Sequence, residues 1–327
     1  MTQSKVKIRF FQIGITLLLI CFLGCGNNQK KKKELTETKV ESPTEPFFKI
    51  SLAQWSLNNA VNNNGADPFD FAKDAKALGF EGVEYVSQLY QDKIDSLGLQ
   101  VVLEKLKSES KKHNVENVLI MIDDEGSLAS TNDEERKIAV ENHYKWVDGA
   151  QYLGCHSIRV NAHGVGSYDD VAEAAVKGLS KLSEYAKNKN INILVENHGG
   201  YTSNGEWLAN VMKKVGKSNC GTLPDFGNFC QTKDYGSIND ENCKEVYDLY
   251  KGVNELMPYA KAVSAKSYDF DTNGNQPKID YLKMLQIVKD AGYTGYIGVE
   301  YEGNNLSEKE GIIATKNLLI SAAKQLN

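Results

Sequence analysis

Three acidic residues in the second half of the chain stand where an apolar, strand-like run ends. Glu196 follows ILV, Asp225 follows TLP and Glu300 follows YIGV. Burying an unpaired carboxylate is costly, so acids that converge at one rim of a sheet are most easily explained by a cation that neutralises them. The pattern therefore predicts a divalent-metal site.

Strand-like and helix-like segments alternate from residue 48 onward. In the helical stretches apolar residues recur every three or four positions, as in Ile279, Leu282, Leu285 and Val288. Eight repeats of strand and helix predict an α/β fold, a parallel (β/α)8 TIM barrel. An open doubly wound sheet is the alternative, but no G-x-G-x-x-G motif follows the first strand. The predicted strands are 48–55, 82–86, 117–123, 157–164, 192–198, 221–226, 262–270 and 296–302, and the predicted helices are 68–79, 94–113, 132–154, 169–190, 205–216, 246–259, 279–292 and 308–326.

In such a barrel the carboxyl ends of all strands share one rim, and catalytic residues lie there. A single acid at a strand end is often only a surface group, whereas several on adjacent strands indicate a site. The polar residues that the sequence places at the rim are Glu84, Asn161, His163, Glu196, His198, Asp225, Asn228, Ser264, Lys266, Glu300 and Glu302.

Composition limits the class of protein. The chain has 327 residues, of which 41% are hydrophobic and 25% charged, enough for one large core or two modest ones. Its net charge of −5 gives no sign of a positively charged binding surface, so nucleic acid is not expected as a partner.

The N-terminus has the layout of a secretory signal peptide over residues 1–24. Basic residues precede an apolar stretch that is too short to span a membrane comfortably. The stretch ends in FLGC, which resembles a bacterial lipobox with Cys25 as the lipidated residue. Residues 25–46 form a Lys-rich flexible linker before the domain at 47–327. The protein is thus predicted to be an exported lipoprotein, held at a membrane and facing the periplasm or the cell exterior; an uncleaved anchor would leave the domain on the same side.

Four cysteines lie in the predicted domain. An oxidising compartment permits a disulfide, but the spacings match no zinc motif. Cys155 is expected to be a buried free thiol, and a bridge among Cys220, Cys230 and Cys243 stays open.

Four motifs carry a resemblance to a known family. They are VENHGG with Glu196, PDFGN with Asp225, SAKS with Lys266 and GVEYEG with Glu300. They resemble the sugar phosphate isomerase/epimerase group of xylose isomerase-like TIM barrels, over essentially the whole domain. The resemblance implies a site for manganese, magnesium or cobalt, with Glu196, Asp225 and Glu300 as ligands, and a proton shuttled by Glu196 and Glu300. It leaves an oligomer open, because such active sites sometimes borrow a neighbour's side chains.

The chain departs from that family at two positions. Ser264 stands where the family usually has a histidine on strand seven, and Asn228 stands where a histidine often follows the strand-six aspartate. The oxygen-rich remainder suits one Mg2+ or Mn2+ ion better than zinc. His198 could compensate as a ligand, but contact with a sugar hydroxyl or support of a ligand is favoured.

These residues would support an enediolate mechanism. A bound metal would act as Lewis acid on a substrate carbonyl, while a carboxylate on each face removes and returns a proton. Lys266 is a candidate catalytic residue that stabilises developing oxyanion charge, or it forms an ion pair with Asp225 or Glu300.

Five further residues are candidates for substrate binding. Glu84 could hydrogen-bond sugar hydroxyls or pair with a base such as Arg159, and Trp55 could stack on a sugar face or lie in the core. The acidic loop at 123–125 is expected to be exposed to solvent. The substrate-binding candidates are Glu84, His163, His198, Asn228 and Trp55.

These residues and the resemblance are compatible with three functions. The first is a metal-dependent sugar isomerase or epimerase, and the second is a lyase or hydratase that acts on 3-keto-glycosides with the same metal site. The third is a sugar-binding lipoprotein without catalysis. The absence of an arginine cluster favours a neutral carbohydrate over a sugar phosphate.

Overall fold

A computed structural model describes residues 45–326, which form the barrel that the sequence predicts. Its eight strands pair in parallel in the order β6-β5-β4-β3-β2-β1-β8-β7. The strands are β1 (Lys49–Ala53), β2 (Gly82–Val86), β3 (Glu116–Ile122), β4 (Ser157–Val160), β5 (Asn192–Glu196), β6 (Cys220–Leu223), β7 (Val263–Ser267) and β8 (Tyr296–Tyr301).

The strands read as apolar runs because both of their faces are covered. In β3 the five residues from Val118 to Ile122 are each at most 2% exposed. Parallel strands in a barrel pack against helices outside and against each other inside, so alternation with polar residues is lost. The core therefore lies both inside the barrel and between strands and helices.

The seam between β6 and β7 closes the barrel with fewer contacts than the other strand pairs. Isolated bridges join Thr222 to Ala260 and Asp225 to Ser264. Pro224 has no N–H to donate, while its carbonyl accepts the N–H of Ser264 at 2.9 Å. One of the predicted metal ligands, Asp225, therefore lies on this seam.

Helices pack around the outside of the barrel, and local capping defines several of their ends. The side chain of Asn132 accepts the N–H of Glu134 at 2.9 Å at the start of α5, and Ser307 and Glu310 form a capping box at α10. The helices are α1 (Asn58–Asn62), α2 (Phe71–Ala77), α3 (Gln91–Leu97), α4 (Leu99–His113), α5 (Asp133–Leu153), α6 (Tyr168–Lys187), α7 (Gly205–Val215), α8 (Leu249–Leu256), α9 (Tyr281–Asp290) and α10 (Glu308–Gln325).

Most of the predicted strands end one or more residues later than the observed ones, and two predicted elements need a specific correction. The helix predicted at 94–113 is two helices, because Gly98 adopts φ +85° and ψ 148°, a conformation open to glycine that interrupts a helix. The strand predicted at 157–164 ends at Val160, where its pairing with β5 ends. Asn161 and His163 therefore lie in the loop that follows β4.

The four cysteines among residues 45–326 form one disulfide and leave two free thiols. Cys230 and Cys243 form a disulfide with their Cα atoms 6.0 Å apart. Cys155 and Cys220 are free and buried, which confirms the prediction for Cys155.

The predicted signal peptide (1–24), Cys25 and nearly all of the predicted linker (25–46) lie outside the described residues. Among residues 45–326, no helix combines the length and the apolar character that a membrane span needs.

Candidate functional site

Three carboxyl groups meet at the carboxyl ends of β5, β6 and β8. Glu196 is the last residue of β5, Asp225 lies two residues beyond β6, and Glu300 is in β8. One oxygen from each side chain lies within 4.8 Å of the others. Their exposed fractions are 2%, 0% and 5%. The structure thus brings together the three residues that the sequence predicts as metal ligands; we call them the acidic triad.

The turn after β6 holds the Asp225 carboxylate in one orientation. Its Oδ1 accepts the N–H groups of Gly227 at 2.7 Å and Asn228 at 2.8 Å. The amide of Asn197 fixes the same turn, since its Oδ1 accepts the N–H of Asp225 at 2.7 Å and its Nδ2 donates to the carbonyl of Asp225 at 3.0 Å. The position of Asp225 therefore depends on the backbone of the turn and not on a flexible side chain.

Ser264 links two members of the acidic triad. Its Oγ lies 2.6 Å from Asp225 Oδ2 and 3.0 Å from Glu300 Oε2. A hydroxyl has a single proton to donate, so it satisfies one carboxylate at a time. The chain thus supplies a hydroxyl oxygen between two acids at position 264.

Lys266 is a buried cation that contacts two members of the acidic triad. Its Nζ lies 2.9 Å from Glu302 Oε1, 3.2 Å from Glu300 Oε1 and 4.0 Å from Asp225 Oδ2. Burial opposes the charge of this ammonium, but the surrounding carboxylates raise the pKa of Lys266 well above its ordinary value. The predicted ion pair with Asp225 or Glu300 is present, and the charged ammonium still lines the cavity described below.

A second buried ion pair connects β3 and β4. Arg159 donates through Nη1 to Asp123 Oδ1, and its Nε lies 2.9 Å from Glu196 Oε2. Burial alone would raise the pKa of Asp123, but the guanidinium lowers it to about 2. The expectation that residues 123–125 are exposed is therefore wrong for Asp123, whose side chain is about 10% exposed because it pairs with Arg159. Asp124 is exposed as expected. The expectation is also wrong for Glu125, whose side chain is 14% exposed because it pairs with Lys145 and accepts from Trp146.

His198 is held in one tautomer by a chain of hydrogen bonds. Asn161 Nδ2 donates to Asp123 Oδ1 at 2.7 Å, which leaves Asn161 Oδ1 to accept from His198 Nδ1 at 3.0 Å. Burial lowers the pKa of His198 well below its ordinary value, so the ring is neutral. A neutral imidazole that donates through Nδ1 presents Nε2 as an acceptor. His198 can therefore accept a hydrogen bond from a substrate hydroxyl.

Burial changes the protonation of two acids in the triad. It raises the pKa of Glu196 well above its ordinary value, against the lowering effect of Arg159 and with the repulsion of Asp225. Burial likewise raises the pKa of Asp225 to about 7, against the lowering effect of Lys266. Carboxyl groups with raised pKa values can carry a proton near neutral pH, as acid–base chemistry requires.

A cavity of about 650 Å³ opens above the triad; we call it the central cavity. Five predicted site residues line it, whereas Glu196 and Asp225 lie beneath its surface. Asn228 connects the cavity wall to the buried acids beneath it, because its Nδ2 donates to Glu196 Oε1 at 3.1 Å. The predicted residues on the cavity wall are Trp55, His198, Asn228, Lys266 and Glu300.

Glu84 lies inside the barrel and does not line the central cavity. It is fully buried and accepts a hydrogen bond from Ser51 Oγ at 2.5 Å. A Cβ on Gly298 would lie 2.6 Å from Glu84 Oε2, so glycine in β8 leaves the room for this carboxyl. The predicted contact between Glu84 and substrate hydroxyls is therefore not what the structure supports. Nor do Glu84 and Arg159 form a salt bridge, although the charge of Arg159 does lower the pKa of Glu84.

His163 lines a different cavity, also of about 650 Å³, which lies beside the first; we call it the side cavity. Its ring is 6.1 Å from that of His198, centroid to centroid. Burial lowers the pKa of His163, so this ring is also neutral. The structure thus separates His163 from the residues above the triad.

The loop after β6 covers part of the central cavity. Lys233, Asp234 and Tyr235 lie on the cavity wall, inside the segment that the disulfide Cys230–Cys243 closes. A Cβ on Gly199, which has φ +94°, would lie 2.1 Å from the carbonyl oxygen of Asp234. Glycine after His198 therefore allows this loop to approach β5 closely.

Comparison with known families agrees with the architecture. The sequence profile of the family described as xylose isomerase-like TIM barrel matches residues 72–321. The chain belongs to the xylose isomerase-like TIM barrel family.

Two curated relatives match short segments of this family member. The alpha subunit of a 3'-dehydrocarminate deglycosidase from Microbacterium is 44% identical over 48 residues, which cover 15% of this chain and 14% of the relative. The alpha subunit of a C-glycoside deglycosidase from Arthrobacter globiformis is 37% identical over 54 residues, 16% of this chain and 15% of the relative. The matches thus span about one seventh of these relatives' length.

Solved structures share the fold of the family. An L-ribulose 3-epimerase superposes with a TM-score of 0.66 at 13% identity, covering 85% of this chain and 97% of the other. The 3-keto-D-glucoside 4-epimerase YcjR of E. coli has a TM-score of 0.61 at 14% identity, covering 84% and 99%. A xylose isomerase-like TIM barrel protein from Mycobacterium smegmatis in complex with magnesium has a TM-score of 0.59 at 16% identity, covering 86% and 98%. At these identities the similarity establishes the fold.

The side chains of this family member can accommodate a metal ion at the acidic triad. Among residues 45–326, no other cluster of three or more histidine, cysteine, aspartate or glutamate side chains brings its ligand atoms this close together. Oxygen atoms up to 4.8 Å apart suit an ion whose metal–oxygen distances are about 2.0–2.6 Å. Within the same residues no histidine or cysteine joins the triad, so the donors are oxygen atoms.

Arg159, Asp123 and Glu302 were not among the predicted site residues. Asp123 and Arg159 lie near the carboxyl ends of β3 and β4, and neighbouring parallel strands bring these ends together. Their positions in the sequence could therefore have indicated that they belong to the site. Glu302 was placed at the rim, but its pairing with Lys266 needed the register of β7 and β8, which sets Lys266 opposite Glu300.

Proposed function

We propose that the protein is a metal-dependent sugar isomerase or epimerase that acts on a neutral sugar or sugar derivative. The acidic triad beside the buried Lys266, at the floor of a closed-in cavity, supports this function most directly. Membership of the xylose isomerase-like family and the similarity of fold to sugar epimerases are consistent with it.

The cofactor we propose is one Mn2+ or Mg2+ ion held by Glu196, Asp225 and Glu300. Five acidic side chains cluster here against two basic ones, Arg159 and Lys266, so the site carries excess negative charge that a divalent ion would neutralise. Carboxylate and hydroxyl oxygens are the donors that these hard ions prefer. When bound, the ion would polarise a carbonyl group of the substrate.

Glu300 is the carboxylate that can reach a substrate directly, because it lines the central cavity. It would remove the proton from the carbon next to the carbonyl; the electron pair of that C–H bond would form a C=C bond to the carbonyl carbon, and the π pair of the C=O bond would move to its oxygen. The charged Lys266, 3.2 Å from Glu300, would stabilise the negative oxygen.

Glu196 would return a proton. Delivery to the same carbon from the other face inverts that centre and gives epimerisation, whereas delivery to the neighbouring carbon gives isomerisation.

The other cavity residues would bind a neutral sugar. His198 offers Nε2 as an acceptor for a hydroxyl, and the half-buried Trp55 offers an aromatic face for the C–H groups of a sugar ring. Among residues 45–326, no arginine offers a free guanidinium to the central cavity, since Arg159 is paired with Asp123 and Glu196. Such pairing supports a neutral substrate over a phosphorylated one.

Export and lipidation at Cys25 form part of the proposal, since they rest on the sequence of the first 25 residues. Expression in a bacterial host should give a membrane-bound protein whose N-terminal peptide carries the mass of acyl chains. Acyl mass on the N-terminal peptide of a Cys25→Ser protein would contradict lipidation at Cys25.

Metal titration of the full chain tests the proposed centre. We expect chelator-treated protein to bind one Mn2+ in calorimetry, and Glu196→Gln and Asp225→Asn to abolish this binding. Glu173→Gln, an exposed change on α6, is the matched control and should bind as the wild type does. Sugars that exchange carbon-bound hydrogen for deuterium in D2O with Mn2+ present would then identify the substrate. A wild-type protein that binds no divalent ion would refute the metal-dependent mechanism and favour a sugar-binding lipoprotein without catalysis.

A second candidate function is elimination or hydration of a 3-keto-glycoside at the same site. The 48-residue match to a 3'-dehydrocarminate deglycosidase subunit favours it, as does the fold shared with a 3-keto-D-glucoside 4-epimerase. Release of the aglycone from a 3-keto-glycoside, followed by chromatography, would separate it from epimerisation, which leaves the glycosidic bond intact.

A further inference from the structure

The side cavity adjoins the central cavity and is as large. Each has a volume of about 650 Å³, and they share Asp123, Asp234 and Tyr235 as lining residues. The central cavity is formed above the acidic triad, whereas the side cavity lies over the loops that follow β3, β4 and β5. A ligand could therefore occupy both without leaving the rim of the barrel.

One cavity is already large enough for a single sugar. Cavities of about 300–1,000 Å³ hold drug-sized ligands, which are larger than a hexose. The central cavity alone thus has room for a reacting monosaccharide and the groups that act on it. The side cavity provides space that a monosaccharide would leave to solvent.

The floor of the side cavity offers unused hydrogen-bonding groups. Among the described residues the ring of His163 has no hydrogen-bond partner, and burial lowers its pKa so that the ring is neutral. A neutral imidazole supplies one donor and one acceptor, which suits the hydroxyl groups of a sugar. The free ring of His163 therefore points to a polar ligand.

Some exposed side chains with apolar surface lie among the polar residues that line the side cavity. Val165 is 90% exposed and Tyr235 is 68% exposed, although both line this cavity. Tyr201 lies beside them and is anchored by its hydroxyl, which donates to the carbonyl of Gly166 at 3.1 Å. Exposed apolar side chains around a polar floor are typical of a surface that binds a ring with polar edges and apolar faces.

We infer that the substrate is a glycoside with two units. The reacting sugar occupies the central cavity against Glu300 and Lys266, and its glycosidic partner, a second sugar or an aromatic aglycone, occupies the side cavity against His163 and Val165. This inference rests on the proposed function, because it takes the central cavity as the place of reaction.

The bond between the two units would cross the boundary that Asp123 and Tyr235 form. His198 faces it from the central cavity and His163 from the side cavity, with ring centroids 6.1 Å apart. The ring of His163 can donate to the oxygen of a glycosidic linkage, and His198, whose Nδ1 is bonded to Asn161, can accept through Nε2 from a hydroxyl beside that linkage. Asp123 is already satisfied by Arg159 and Asn161.

Calorimetry on the full chain tests the inference with defined probes. We compare D-glucose, D-galactose and D-xylose with their 4-nitrophenyl β-glycosides, with Mn2+ present and after chelation. We expect at least one glycoside to bind about tenfold or more tightly than its parent sugar, because its second ring gains contacts in the side cavity. Free 4-nitrophenol, which lacks the sugar, should not reproduce the gain.

Two variants test whether the gain in affinity for the glycoside arises in the side cavity. Val165→Glu places a charge on the rim of the side cavity and should reduce the ratio of the two affinities to near one. Val101→Glu on α4 is the matched control, since Val101 is also exposed but lines neither cavity, and it should keep the ratio. Equal affinities for every pair, no binding by any glycoside, or a gain that survives Val165→Glu would each overturn the inference.

Failure of the two-unit substrate can be distinguished from failure of the proposed metal-dependent function. Manganese binding without a glycoside advantage would refute the two-unit substrate and leave the metal centre standing. A glycoside advantage without manganese binding would refute the metal-dependent mechanism and leave the side cavity as a binding site.

Discussion

The buried Glu84 should make the stability of the barrel depend on pH in a way that one substitution removes. Burial raises the pKa of this carboxyl from 4.5 to about 7, while the hydrogen bond from Ser51 acts in the opposite direction. Between these two values the folded protein binds a proton that the unfolded chain has released. Stability contributed by the protonated group is therefore complete below pH 4.5 and is lost as the pH rises through 7.

The size of the effect follows from the two pKa values. Each pKa unit corresponds to about 1.4 kcal/mol, so ionisation of Glu84 lowers the free energy of unfolding by about 2.5 kcal/mol between pH 5 and pH 8. Glu84→Gln removes the ionisation and keeps an oxygen that can accept from Ser51 Oγ. The partner-free Oε2 becomes an amide nitrogen, which is as unsatisfied as the protonated oxygen it replaces.

Urea unfolding at pH 5 and pH 8, with chelator present, measures the effect. We expect the Glu84→Gln protein to be close to the wild type at pH 5 and about 2–3 kcal/mol more stable at pH 8. Glu173→Gln on the exposed face of α6 serves as the control: it keeps Glu84, so its stability should follow that of the wild type at both pH values. Stability curves of wild type and Glu84→Gln that run parallel across this range would refute the assignment of Glu84 as a buried, proton-binding group.

Two further changes test the ion network and the disulfide. Lys266→Met leaves the carboxylates of Glu300 and Asp225 buried without their ammonium partner, and we expect a loss of about 3–5 kcal/mol at pH 8, part of which added Mn2+ restores. Urea unfolding with and without the ion measures it, and wild-type stability would show that the contacts at 3.2 and 4.0 Å contribute nothing. Cys243→Ser opens a loop with a sequence separation of 13 and should cost about 3 kcal/mol by chain entropy. Its stability should match that of the reduced wild type, and a difference between those two samples would contradict a purely entropic role.

The sequence was sufficient to predict the barrel and the acidic triad because both follow from local signals. Apolar runs bounded by amphipathic helices specify parallel strands, and parallel strands carry their carboxyl ends to one rim. Glu196 and Asp225 directly end or follow such runs, so their convergence needed no knowledge of packing.

The position of Glu84 shows what local signals omit. It is the central residue of β2, two residues before the strand ends at Val86, and pairing sets it opposite Ala53. Its depth inside the barrel depends on this register and on the space left by Gly298. Neither can be read from the segment GVEYV alone.

The ion pairs of the site also depend on register between strands. Arg159 reaches Asp123 because β4 and β3 are neighbours, and it reaches Glu196 because β5 lies on its other side. The acidic loop that begins at Asp123 looks like a solvated turn until this neighbour is placed. Charge pairing across strands is thus the part of the site that required the fold.

The sparse seam between β6 and β7 has a consequence for how this barrel could change over generations. Asp225 and Ser264 face each other across isolated bridges, whereas the other strand pairs are held by continuous ladders. A substitution in β7 can alter the spacing between these two side chains without unpairing a ladder on which the rest of the ring depends. Side chains other than the Ser264 hydroxyl can therefore be accommodated at the seam while the scaffold is retained. The strand pair with the fewest hydrogen bonds is therefore the place in the barrel where active-site residues can change most easily.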